Sequence, residues 1–349
     1  MSHLASTTPF PNDLAIASAK GIYLYDTDGN AYMDLISGIG VNNIGHQHPA
    51  VIEAIKKQAD QHLHVMVYGE YEQSVQQQFA KAIIDFFPKG YDKVYFTNSG
   101  AEATEAALKL VKRATGKHEI VALKDAYHGN THGAMSVSYN EDKKYAFRPL
   151  LPGISFIKLN DFEELKRINQ NTAGVILESI QGDAGVRIPN NDWLEALQKK
   201  CKEYGALIIA DEIQTGFGRT GKNLAFEHFN FSPDIVLIGK AMAGGMPMGG
   251  VVAKKGLLEH FTEKPMLGHI TTFGGHPINC AAGLANIKIL NQETWIAEAE
   301  VNGQYIKDKI SQHNKVKAVR QIGLMLAVDL ENEATMERFL KHLREEENA

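Results

Sequence analysis

Six short, largely apolar runs recur along this chain, at Val94–Phe96, Ile120–Leu123, Ile154–Ile157, Val175–Leu177, Leu207–Ala210 and Ile235–Ile238. Runs this short, without regular polar alternation, suit strands buried on both faces. Helical patterns separate many of them; Asp192 to Tyr204, closed by Gly205 as a C-terminal cap, is one. That rhythm predicts an α/β fold with a mostly parallel central sheet flanked by helices on both faces. In such sheets the chemistry collects beyond the carboxyl ends of the strands, and Glu178, Asp211 and Lys240 all stand there.

The rest of the chain reads as additions to that sheet. Residues 1–47 hold a predicted β-hairpin, two alternating runs around the Asp28-Gly29 turn between Gly21 and Asp34. Residues 48–285 form the expected large α/β unit. After about Asn286 long polar helices and one strand, Leu324 to Leu330, predict a smaller α+β unit over 286–349, built together with the N-terminal segment and read as shortened. A charged helical stretch, Ala334 to Glu347, ends it. No internal repeat or low-complexity linker interrupts the order.

Bulk properties exclude several classes. A chain of 349 residues with 44% hydrophobic and 22% charged residues has the makings of a large core. A net charge of -5 of mixed sign predicts no nucleic-acid or anionic-membrane partner. No apolar run approaches the ~18 residues of a membrane span, and Met1 to Lys20 lacks the pattern of a signal peptide. Cys201 and Cys280 read as reduced, buried thiols. The expectation is a cytoplasmic protein.

The strand ends carry the chemical signal. Lys240 follows Ile235–Gly239 and precedes a flexible, glycine-rich stretch to Gly250; Asp211 follows Leu207–Ala210. An amine able to form a Schiff base, and a carboxylate able to hold a protonated ring nitrogen, are what pyridoxal phosphate chemistry requires. A possible phosphate end lies at Ser99-Gly100-Ala101, where Ser99 and Glu102 have capping-box spacing before a helix with apolar residues at Ala103, Ala106, Ala107, Leu110 and Val111. Any capped helix looks the same, so this segment decides nothing alone. Taken singly, the lysine and the aspartate have equally plain readings as a surface residue and a helix cap.

Other motifs fail on context. Gly216 to Gly221 is a literal G-x-G-x-x-G, yet Asp211 to Thr215 separate it from its strand and no clear helix opens after it. Gly216 to Lys222 imitates a P-loop, but Asn223 stands where magnesium would need Ser or Thr. A glycine-rich turn is the reading adopted. The histidine pairs His46/His48, His62/His64 and His128/His132 lack an acid at a metal spacing, so no metal site is expected. Tyr127 reads equally well as a ring that stacks on a cofactor or as a packed core residue.

Taken in order, Asn98 to Ala103, Tyr127-His128-Gly129, Leu177 to Gly182, Asp211 to Gly221, Gly239-Lys240 and Thr271 to Pro277 resemble the class III (omega) pyridoxal phosphate-dependent aminotransferases, most of all the acetylornithine/ornithine aminotransferase-like members. The resemblance runs from Gly21 to about Leu330. It implies a fold type I architecture and a ping-pong transamination from an amino acid or omega-amine to a 2-oxo acid such as 2-oxoglutarate. It implies that Lys240 forms the Schiff base and shuttles the proton, and that Asp211 pairs with the ring nitrogen. Gln214 would lie near the phenolic oxygen, Tyr127 would stack on the ring with His128 nearby, and Glu178 would face the substrate. Ser99, Gly100 and Ala101 would bind the phosphate. Thr272 would reach the partner subunit's cofactor, implying a homodimer with shared active sites.

Departures fall on the substrate side. Asn130 stands where the resemblance leads one to expect a carboxylate-clamping arginine, with Arg148 as a loop substitute. Asp183 replaces a glutamate, and Ile39 stands where the ornithine-type members carry tyrosine. Rival expectations are an aminomutase or racemase of the same fold, which would need no external oxo acid, and a non-catalytic cofactor-binding protein.

Overall fold

The computed structural model describes residues 3–9, 14–67 and 69–345. Its first sheet is organised by one side chain. The Asp26 carboxylate accepts hydrogen bonds from the N–H groups of Asp28 (3.0 Å) and Asn30 (2.8 Å), the Asn30 carboxamide (2.9 Å) and the Tyr32 hydroxyl (3.0 Å). These bonds close the Asp28-Gly29 turn. The turn joins β2 (Tyr23–Asp26) to β3 (Ala31–Met33), with Tyr23 opposite Met33. β1 (Ile16–Lys20) adds a third antiparallel strand that the hairpin reading did not anticipate.

The central sheet contains β4 (Tyr91–Thr97), β5 (Glu119–Leu123), β6 (Ile154–Ile157), β7 (Thr172–Glu178), β8 (Leu207–Asp211), β9 (Ile235–Gly239) and β10 (Gly249–Lys254), in the order β4-β10-β9-β8-β7-β5-β6. β10 runs antiparallel to both its neighbours; the pairs from β9 across to β6 are parallel. All six expected strands are therefore present. The glycine-rich sequence leading into β10 suggests a flexible stretch rather than a strand. β10 is a strand because Gly249 has no side chain: a Cβ there would overlap the Ser99 carbonyl.

Alternation along the strands feeds two cores. Val175, Leu177, Ile208, Ala210, Val236 and Ile238 point into one, with Phe79, Ile83, Trp193 and Leu197 of the covering helices. Ile176, Ile209, Ile235, Leu237 and Val251 point into the other, beneath Ala103, Ala106, Ala107, Leu110 and Val111. Burying a side chain of the Leu, Ile or Phe type contributes about 1.5–3 kcal/mol, so the sheet is stabilised from both faces. The helix Asn191–Tyr204 ends at Gly205, which adopts the left-handed conformation (φ +61°).

A third sheet pairs β11 (Val316–Ile322) with β12 (Met325–Leu330), two strands where one was expected. The helix Trp295–Ile310 packs on them so closely that a Cβ at Gly303 would overlap the Gly323 carbonyl. The glycine-rich segment 216–221 is the joint to this unit. Gly218 lies against Ile296, Gly221 against Glu300, and the Arg219 carbonyl accepts the Leu324 N–H at 3.0 Å. That packing, with no helix opening after Gly221, is a structural turn. The terminal helix runs Glu333–Glu345; the last two residues of the expected 334–347 stretch lie outside the described residues. Among the described residues no helix is long and apolar enough to cross a membrane, and no three His, Cys, Asp or Glu side chains converge as a metal site.

Candidate active site

Two strands end level, with Glu178 in register with Asp211, and the third, β9, runs two residues past Leu237, the register partner of Asp211. Lys240 is the first residue beyond β9 and has a backbone φ of +44°, a strained value for a residue with a side chain. The turn that carries it is fastened from behind. Asn286, wholly buried in the helix Pro277–Gln292, donates to the Ala241 carbonyl at 2.8 Å, and Asn279 of the same helix donates to the Pro247 carbonyl at 2.6 Å. Neither asparagine was singled out from the sequence.

Above the strand ends lies a cavity of about 320 Å³. Of the residues expected at a site, Gly100, Ala101, Tyr127, His128, Asn130, Glu178, Asp183, Asp211, Gln214 and Lys240 line it. Ser99 does not; its hydroxyl caps the helix Gly100–Thr115 by accepting the Glu102 N–H at 3.2 Å. Glu102 completes the cap one residue earlier than a capping box would, accepting the N–H of Asn98 at 2.9 Å rather than that of Ser99. Gly100 fits because a Cβ there would stand 2.7 Å from Ile213.

Asp211 is buried and held on both oxygens. Oδ1 accepts the Ile213 N–H at 3.0 Å, and Oδ2 lies 2.6 Å from His128 Nδ1. His128 is itself fixed through its backbone: its N–H donates to Ser138 Oγ at 2.9 Å and its carbonyl accepts from Thr104 Oγ1 at 3.0 Å. Its other ring nitrogen, Nε2, is buried without a hydrogen-bond partner among the described residues. Thr104 and Ser138 carry no signal of this role in the sequence.

The Lys240 ammonium makes no ion pair or hydrogen bond among the described residues. Burial pushes its pKa down, and the carboxylates of Asp211, Asp183 and Glu178 hold it back. An amine so placed gives up its proton more readily than a surface lysine. Glu178 responds to burial in the opposite sense, rising to about 7. Its two oxygens accept the backbone N–H groups of Tyr127 (2.8 Å) and Gly182 (2.7 Å), tying together two loops that border the cavity. Gly182 also packs against Gln214; a Cβ there would overlap the carboxamide.

The other expected substrate and partner contacts lie apart. Ile39 is exposed (67%) and outside the cavity. Arg148 forms an exposed pair with Glu141, its Nε donating at 3.0 Å. Thr272 is exposed, outside the cavity, in the loop that leads to the helix Pro277–Gln292. Tyr127 is 38% exposed, and burial and the nearby Asp183 raise the pKa of its phenol.

A family model for class-III aminotransferases matches residues 5–347 of this chain. The sequence is 40% identical over 321 residues to the acetylornithine aminotransferase of Aquifex aeolicus, covering 90% of this chain and 83% of that protein. It is 35% identical over 322 residues to a [LysW]-aminoadipate semialdehyde/glutamate semialdehyde transaminase of Sulfurisphaera tokodaii, covering 91% and 82%. The fold superposes with a TM-score of 0.86, at 30% identity, on an ornithine aminotransferase of Toxoplasma gondii that has pyridoxal phosphate at partial occupancy in its active site; 94% of this chain and 79% of that one are covered.

Proposed function

The chain belongs to the class-III aminotransferase family, and on that footing we propose that its cavity takes the terminal amine of an acetylornithine-like donor and passes the nitrogen to a 2-oxo acid such as 2-oxoglutarate. That it is a pyridoxal phosphate-dependent aminotransferase follows from the family. The donor class rests on the relatives' names and on the cavity. When bound, the cofactor supplies an aldehyde that condenses with amines and a ring that takes up the electrons of a broken C–H bond.

Three features support a fit to that group. Lys240 presents an ammonium without a partner, His128 presents a buried Nε2 without a partner, and the start of the helix Gly100–Thr115 has no room for a side chain at Gly100. Gly100 and Ala101 would hold its phosphate at the helix N-terminus, with the Ser99 hydroxyl capping the helix beside them rather than lining the cavity. Asp211, locked by Ile213 and His128, would hold the ring nitrogen; Tyr127 would cover a ring face and Gln214 would meet the phenolic oxygen. Lys240 would take the proton from the amine-bearing carbon of the donor at Nζ and give it up to the carbon to which the nitrogen moves, its burial favouring the neutral form needed to accept it. Glu178 holds the Tyr127 and Gly182 loops in place around the substrate.

The single observation that carries this reading is the partnerless ammonium of Lys240 at the end of β9, beside the doubly held Asp211. It is tested by the visible absorbance of the cofactor-loaded protein as acetylornithine, ornithine, lysine, 4-aminobutyrate and glutamate are added one at a time. Bleaching by acetylornithine, with recovery on adding 2-oxoglutarate, is expected. A band that no amine shifts would overturn the reading.

The same reading extends to the assembly. Thr272 lies outside its own cavity, and Met266, Leu267, Ile270 and Phe273 around it are exposed. That apolar loop suits a homodimer in which Thr272 reaches the second subunit's cofactor; a monomer in light scattering would refute it. Residues 1–47 and 286–349 would form the small unit around the large one, 48–285. The buried thiols of Cys201 and Cys280 agree with a cytoplasmic location.

A further inference from the structure

We propose that Lys143, beside Tyr127 in the cavity adjoining that of Lys240, seats the carboxylate of the amino donor. The inference rests on the donor class above and adds the residue that recognises it. The charged side chains lining the inner cavity are Glu178, Asp183, Asp211 and Lys240, with no arginine and no second lysine. A carboxylate near the reacting amine therefore meets acids rather than a clamp.

A second cavity of about 610 Å³ shares Tyr127, Gly129, Asn130 and Asp183 with the first and continues it outward. Its lining contains the acids Asp125, Glu141, Asp142 and Asp183, of which Asp125 pairs with Arg187 and Glu141 with Arg148, and three cations, of which two are committed. Lys144 is buried, donates to the Ser138 carbonyl at 2.8 Å and lies 4.6 Å from the Phe156 ring centre. Arg187 is held by the Ala184 carbonyl at 3.0 Å and by Asp125 at 3.4 Å. Among the described residues Lys143 has no acid within ion-pair distance; its ammonium stands 5.8 Å from the centre of the Tyr127 ring. Its backbone is fixed where Asn140 Oδ1 accepts its N–H at 3.2 Å.

The geometry thus sets Lys240 in the inner cavity and an ammonium without an acid partner in the outer one, with Tyr127 and the neutral Asn130 lining both. It suits a donor whose amine and carboxylate lie at opposite ends of a chain. A point charge without a bidentate fork holds a carboxylate less tightly than arginine would and is screened by salt.

The test compares acetylornithine with N-acetylputrescine, the same chain without the carboxylate, by titrating the visible absorbance of the loaded protein. Wild type is expected to half-saturate at about tenfold lower acetylornithine than N-acetylputrescine. Lys143→Gln should erase most of that ratio and Lys143→Arg should restore it. Calorimetry with N-acetylnorvaline, which keeps the carboxylate and lacks the amine, should show about tenfold weaker binding to loaded Lys143→Gln with no turnover involved. A ratio equal in wild type and Lys143→Gln, with calorimetry unchanged, would overturn the inference while leaving the donor class intact. Failure of acetylornithine to bleach the wild-type band would remove the donor class and this inference with it.

Discussion

Glu178→Gln separates a buried acid from the hydrogen bonds it makes. Burial raises the Glu178 pKa from the ordinary 4.5 to about 7, against the two backbone N–H groups that favour its charge. At ~1.4 kcal/mol per pKa unit that rise is worth roughly 3–4 kcal/mol between the two protonation states. The sign follows from the direction. An acid whose folded pKa is raised binds a proton more tightly in the native state, so its stabilisation is complete below pH 4.5 and is lost as pH rises through about 7. Glutamine does not titrate, and any hydrogen bond it loses shifts its stability by the same amount at every pH. In urea denaturation of the cofactor-free protein, wild type should therefore lose about 2–3 kcal/mol relative to Glu178→Gln between pH 5 and pH 9. Parallel curves across that range would refute the reasoning; the carboxylate would then be ionised throughout, with the Tyr127 and Gly182 N–H groups outweighing burial.

Three further outcomes are expected. Lys240→Ala should abolish transamination, read as amine-dependent bleaching of the cofactor band; bleaching at the wild-type rate would remove Lys240 from the proton transfer. Asp211→Asn should slow the donor half-reaction at least about a hundredfold in stopped-flow absorbance, and a near-wild-type rate would reject its hold on the ring nitrogen. Gly303→Ala forces a Cβ into the Gly323 carbonyl and should lower stability by about 1–3 kcal/mol in thermal melts, whereas an unchanged melt would mean the helix can slide off the β11–β12 turn at no cost.

The central sheet was legible because its information is local. Val175–Leu177, Leu207–Ala210 and Ile235–Ile238 are apolar on both faces since two cores share them, and Glu178, Asp211 and, after Gly239, Lys240 follow where the strand ends meet the cavity. β10 and β11 were illegible for opposite reasons. β10 begins with two glycines, which read as flexibility until the Ser99 carbonyl is seen to occupy the place of a side chain. β11, VKAVRQI, is a partly exposed member of a two-stranded sheet, and its mixed character carries no burial pattern.

The cofactor side of the site shares that legibility and the substrate side does not, for a physical reason. Lys240, Asp211 and Glu178 are placed by three adjacent strand ends, so their order in the chain is their order in space. The fastenings behind them come from sequence-distant elements: Asn286 on Ala241, Thr104 on His128. The outer cavity is assembled from residues 125–144 and 183–187, where neighbouring residues meet different surroundings. Lys143 and Lys144 are adjacent in sequence and chemically identical, yet one ammonium is drawn under Phe156 onto a carbonyl and the other stands free beside Tyr127. A four-residue helical turn directs them apart. Which lysine can meet a carboxylate is therefore a property of the turn's orientation on the sheet, and no pattern within the turn itself encodes it.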